Sequence, residues 1–252
     1  MNMLLLQVVL LGCESKQDEK TPDSPDVVGD SADEYDSPPD TGDVVEPGSD
    51  TAEPSDSGED TDDTGEEPCE PPTYGSNPFA SSIVEYLPGE GAGFGQDSLP
   101  DIVLGPPLGA GENSGSLDVL TLGHEGEIIL AFDVAIINGP GPDIIVYENP
   151  FIGFPETGVV AASVDGETWY AWPCDAANEV ELFPGCAGVT PSLSHPDNCI
   201  DATDPSVAGG DHFDLADIGL ETANYIRVQD SGYNEYGGFD LDAIAIVHRG
   251  SK

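Results

Sequence analysis

Cations are almost missing from this chain: five Lys and Arg face 50 Asp and Glu, a formal net charge of −45. Such a surface repels phosphate backbones and anionic headgroups, which argues against nucleic acid binding and against electrostatic docking on acidic lipid. Long apolar runs are missing as well. The run from Leu4 to Leu11 is far shorter than the roughly 20 residues that cross a bilayer. No long segment has a helical period, and only Asp211 to Leu220 offers a short helical turn. There is no Gly-x-Ser-x-Gly elbow, no His-Glu-x-x-His pair and no Walker loop; Gly89, Gly91, Gly93 and Gly95 precede no helix. These absences weigh against elbow hydrolases, zinc peptidases and phosphate-loop enzymes. No Cys-x-x-Cys pair is present either, which removes the usual thiolate zinc site.

What is present begins with a processing pattern. The apolar run reads as an export signal over residues 1–12, although no Lys or Arg precedes it. It ends Leu10-Leu11-Gly12-Cys13, which resembles the bacterial lipobox. That resemblance implies that Cys13 is acylated, becomes the mature amino terminus and anchors the protein to the outer membrane or cell surface without spanning it. Residues 13–72 follow as an acidic Ser/Thr/Pro-rich linker. From residue 14 to 72 it carries 22 Asp and Glu against two Lys, with too few apolar residues to offset the entropy of ordering. Like charges and prolines predict an extended stalk.

From residue 73 to 252 the texture changes to apolar runs of five to eight residues broken by Gly, Pro, Asn and Asp, which predicts an all-β domain. Candidate strands run from 83 to 87, 117 to 122, 127 to 133, 143 to 148, 159 to 164, 168 to 172, 225 to 228 and 241 to 247. The pair 127–133 and 143–148 is apolar at successive positions, so both faces are expected to be covered, and the Asn138-Gly-Pro-Gly-Pro142 loop predicts a hairpin between them. A second hairpin is expected at Asp165-Gly166. Eight strands suit a two-sheet sandwich.

The segments LDVLTLGHEGEIILAFD (117–133), GPGPDIIVYENPF (139–151), SVDGETW (163–169), YIRVQD (225–230) and GFDLDAI (238–244) resemble a family of bacterial cell-surface lipoproteins. The domain in that family is similar to the galactose-binding-like, or discoidin-like, jelly roll. The resemblance covers most of residues 75 to 248 and implies a jelly-roll β-sandwich in a surface setting, without fixing an activity.

With Cys13 set aside, four cysteines remain in an exported chain. Cys174 and Cys186 bracket a short acidic loop and are expected to pair, leaving Cys69 with Cys199. Glu148 and Asn149 close one strand and Asp240 and Asp242 open another, so antiparallel neighbours bring all four to one edge. Carboxylates with so few cations nearby need water, a proton or a hard metal, and oxygen donors suit structural Ca²⁺. The bland alternative is that Asp240 and Asp242 cap the strand or pair with Arg227. Asp211 and Asp214 are second candidates for metal, with His212 between them. Asp230, Tyr233 and Tyr236 lie in a Ser/Gly/Asn-rich loop of the kind that holds sugars. The expected function is a displayed binding module for a glycan or a protein partner; a polysaccharide hydrolase using a carboxylate pair and a purely structural envelope protein are the alternatives.

Overall fold

The structure, a computed structural model, describes residues 69–233 and 238–252. Cys13, the expected stalk through residue 68, and Tyr236 lie outside the described residues. The strands are β1 (Ser82–Leu87), β2 (Leu120–Thr121), β3 (Glu127–Ile137), β4 (Ile144–Glu148), β5 (Gly158–Ser163), β6 (Tyr170–Ala171), β7 (Asp211–Phe213), β8 (Thr222–Asp230), β9 (Asp240–Ile246) and β10 (Arg249–Gly250). They form two antiparallel sheets, one ordered β1-β3-β8-β5-β6 with β10 also on β3, the other β2-β9-β4-β7. Helix among the described residues is confined to short 3₁₀ turns, one of them Leu215–Ile218 where the helical turn was expected. The domain is therefore an all-β sandwich.

The core follows from strand alternation. Ile128, Leu130 and Phe132 of β3, Val160 and Ala162 of β5, and Ile226 and Val228 of β8 share one buried cluster with Ile144 and Val146 of β4 and Leu241, Ile244 and Ile246 of β9. The opposite face of the four-stranded sheet is buried too: Ile145, Tyr147, Ala243 and Ala245 pack with Phe79, Ala202 and Ala208. Tyr147 donates its hydroxyl to the Ala202 carbonyl at 2.7 Å, which satisfies the one polar atom of a fully buried ring. Hence β4 is covered on both faces, as its unbroken apolar run predicts. β3 is not, since Asp133 on it is exposed.

A second expectation fails. β3 and β4 are not a hairpin, because they lie in different sheets: β3 is flanked by β1 and β8, and β4 by β9 and β7. The Gly/Pro loop reverses the chain but carries it across the sandwich. Asp143, fully buried, accepts from the Gly139 and Leu215 amides at 2.8 Å each and lies 2.8 Å from His248 Nδ1. Those partners draw the loop towards β7 and the chain end, away from a tight turn. The expected Asp-Gly hairpin does form, with β5 and β6 paired and Asp165 accepting from the Glu167 and Thr168 amides.

Both predicted disulfides are present, Cys69–Cys199 and Cys174–Cys186. Two such bonds suit an oxidising, exported setting. Among the described residues no helix is long and apolar enough to cross a membrane.

Candidate cation site and neighbouring cleft

The end of β4 meets the start of β9 at an irregular register. Tyr147 pairs with Ala243 and Glu148 with Leu241, so β9 carries one extra residue, Asp242, against β4. Asp242 is 2% exposed, and its two oxygens accept from the Leu108 amide at 3.0 and 3.2 Å. Burial drives its carboxyl well above the usual range, and the Leu108 amide opposes that rise. Asp240 instead stays with Glu148. The bulge thus splits the expected quartet, because the extra residue is spent on a backbone amide. Arg227, the expected competitor for these acids, is engaged elsewhere: its Nε lies 3.5 Å from Glu127, and its guanidinium sits over the Trp169 ring.

In place of Asp242 the fold supplies Glu156. Glu148, Glu156 and Asp240 each offer a carboxylate oxygen, and these atoms all lie within 4.8 Å of one another. No other group of three metal-ligating side chains gathers so closely among the described residues. Glu148 is 1% exposed, and neither of its oxygens has a hydrogen-bond partner; Asp240 Oδ1 has none either. Burial, then repulsion from Glu156 and Asp240, pushes Glu148 well above the ordinary carboxyl range. The Asn149 amide is the one group that opposes this, and it falls outside hydrogen-bond geometry. Glu156 is pushed up to about 7, first by burial and then by Asp240 and Asp230. Asp240 is raised by burial, against the side chains of Thr121 and Asn149. Asn149, from the predicted set, also donates to the Ser116 carbonyl at 2.8 Å and braces the loop before β2.

Glu156 escaped the sequence reading because it precedes β5, which belongs to the other sheet. Two glycines bring it in. A Cβ on Gly188, at φ +84°, would come 1.9 Å from the Glu156 carbonyl, and one on Gly158 would come 2.5 Å from the Phe239 ring. The signal was a Glu two residues before the glycine that opens a strand, which is faint.

The other predicted residues are employed structurally. Asp211, buried on β7, accepts from the Gly188, Val189 and Thr190 amides at 2.7 to 3.4 Å, and burial pushes it up to about 6 against those bonds. Asp214 caps the Leu215–Ile218 turn through the Ala216 amide. Asp230 is 5% exposed and accepts from the Glu125, Gly232 and Phe239 amides at 2.9 Å each, so it ties loops together and has no free face for a sugar. Tyr233 is exposed, with its hydroxyl 3.4 Å from Glu179.

A cleft of about 640 Å³ opens beside β7. The rings of Trp172, Phe183 and Phe213 line it together with Asp211, His212 and Asp217, and the loop closed by Cys174–Cys186 forms its rim. Leu182 and Phe183 on that rim both take positive φ, 57° and 51°, a strained conformation for branched and aromatic residues. His212 and Asp217 are exposed. Trp172 is held in place by its indole N–H, which donates to the Asp214 carbonyl at 2.9 Å.

Against known protein families and against curated proteins, the chain finds no match.

Proposed function

We propose that this protein is a surface-displayed glycan-binding module, tethered through an acylated Cys13 and held off the membrane by its acidic stalk. The observation that carries the reading is the cleft beside β7. Its volume lies in the range of small-ligand sites, roughly 300 to 1,000 Å³, and it joins aromatic faces to a few polar groups. Of the three rings, Trp172 and Phe213 are buried and packed on each other as the floor, so the half-buried Phe183 on the rim is the ring placed to stack on the apolar face of a sugar, while His212, Asp217 and Thr190 offer hydrogen bonds to hydroxyls. The strained rim supports a ligand role, since strain of this kind collects at binding sites. The sandwich is read as a galactose-binding-like jelly roll, supported by a chain that changes sheet at every step except β5 to β6.

The hydrolase alternative calls for two free carboxylates in the cleft. Asp211 is committed to three amides, which leaves Asp217 without a partner acid on that wall. The test is a glycan array probed with the soluble Cys13→Ser protein, followed by calorimetry on the hits. Related glycans should bind, and His212→Ala with Asp217→Ala should weaken them about tenfold, the loss of roughly 1.4 kcal/mol of hydrogen bonding. An array without hits would reject the glycan reading, with a protein partner next in line; new reducing ends in the incubations would make the protein an enzyme.

A further inference from the structure

The trio Glu148, Glu156 and Asp240 has no role in the cleft, and its geometry asks for something the protein alone does not supply. Three carboxylate oxygens converge within 4.8 Å, and none of the described Lys, Arg or His side chains pairs with them. Glu148 makes the case specific. Its side chain is almost wholly buried, with both oxygens unpartnered, and Asp240 turns a third unpartnered oxygen towards the same place. Buried polar atoms without partners are destabilising, and more so when charged. The sandwich satisfies Asp143, Asp211, Asp230 and Asp242 with backbone amides, whereas both oxygens of Glu148 and one of Asp240 are the buried side-chain oxygens left without a partner among the described residues.

We infer that Glu148, Glu156 and Asp240 bind a Ca²⁺ ion that locks the end of β4 to the start of β9 and to the segment entering β5. Oxygens about 2.4 Å from an ion lie up to about 5 Å apart across it, which accommodates the trio's spacing. The donors are all hard oxygen, with no imidazole or thiolate, so Zn²⁺ and Cu²⁺ are poor competitors. Mg²⁺ demands shorter bonds, an octahedral shell and retained water, which a nearly closed pocket around Glu148 disfavours. Three negative charges against two positive ones leave the site near neutral. The ion's role is to fix three segments that come from both sheets, and it stands independently of any ligand in the cleft.

The test uses the whole soluble chain, disulfides intact, by scanning calorimetry at neutral pH. The many Asp and Glu before residue 69 attract cations without specificity, but the melting transition reads the folded domain. A site of about 10 μM affinity in about 1 mM Ca²⁺ should raise the melting temperature by roughly 5 to 10 °C over the chelated protein, with little effect from Mg²⁺ or added salt. Glu148→Gln, Glu156→Gln and Asp240→Asn should each remove most of that shift. Asp242→Asn, on its own amide, should keep it. Should the Glu148→Gln protein not fold, Tb³⁺ luminescence on the wild type, excited directly and displaced by Ca²⁺, supplies the second reading. A wild-type protein with no calcium-specific shift and no saturable Tb³⁺ signal would overturn the inference and leave Glu148 a neutral buried acid. A shift that survives both Glu148→Gln and Asp240→Asn would overturn it equally.

Discussion

Residue-scale behaviour here is dominated by acids that fold into the protein and must find donors or protons. Asp211 shows the sign of the effect. Its carboxyl is raised from 3.8 to about 6, so the folded chain holds this proton more tightly than the unfolded one. Its contribution to stability is present below about pH 4 and is lost as pH rises towards 6, on the order of 3 kcal/mol. Urea unfolding at pH 4, 5, 6 and 7 should show wild-type stability falling relative to Asp211→Asn across that window. A constant difference would mean that the three amides fully offset burial. Glu148 obeys the same rule, its carboxyl also being raised by burial, so the calcium-free protein should weaken as pH rises above the ordinary carboxyl range. Asp230 is a different case, an acceptor shared by three backbone amides. Replacing it with Ala takes the acceptor from all three and should cost about 1 to 3 kcal/mol in chemical denaturation, chiefly because the Phe239 amide is a buried donor, while the other two are only partly buried.

At the scale of elements, the loop between Cys174 and Cys186 and the bulge on β9 decide which side chains meet. Removing the Cys174–Cys186 bond by paired serine substitution should lower stability by about 2 to 3 kcal/mol, as expected for a short closed loop. It should weaken cleft ligands further, since the Phe183 rim loses its tie; unchanged affinity would show that the rim is held by packing alone. These elements also mark what a sequence can disclose. Most strand positions were legible because apolar alternation and Gly/Pro punctuation are local; β7 and β10 were not, β7 because its three residues fall in the span expected to be a helical turn and β10 because it is only two residues long. β4 was legible as doubly covered because Ile144 to Tyr147 leave no polar face. The Cys174–Cys186 pair was legible from spacing in an acidic loop. The partnership of β3 and β4 was not, because the decision lies with Asp143 and its distant contacts to Leu215 and His248. The acid trio was half legible: Glu148 and Asp240 follow from strand ends, whereas one extra residue in β9 exchanges Asp242 for Glu156.

At the scale of the whole molecule, a chain that changes sheet at almost every strand relies on contacts far apart in sequence, and its refolding should be slow, in the millisecond to second range or beyond. Stopped-flow fluorescence of Trp169 and Trp172 measures this directly. The tether is tested by Cys13→Ser, which should release the protein from membranes or leave an unprocessed precursor; unchanged membrane association would remove the lipid anchor. The Cys69–Cys199 bond acquires a mechanical meaning if the amino-terminal side is the anchored one. Tension arriving along the chain passes at Cys69 into Cys199, in the segment that covers the outer face of the four-stranded sheet. The stretch leading to β1, bound to β9 at Pro78 and Phe79, and β1 itself, an edge strand whose ladder partner is β3, are then bypassed as a load path. With the bond intact, pulling shears the body of the sandwich; once it is reduced, the same pull unzips β1 rung by rung. Single-molecule traces from the amino terminus should therefore show a lower rupture force after reduction, while traces from the carboxy terminus mark the resistance of the sandwich itself.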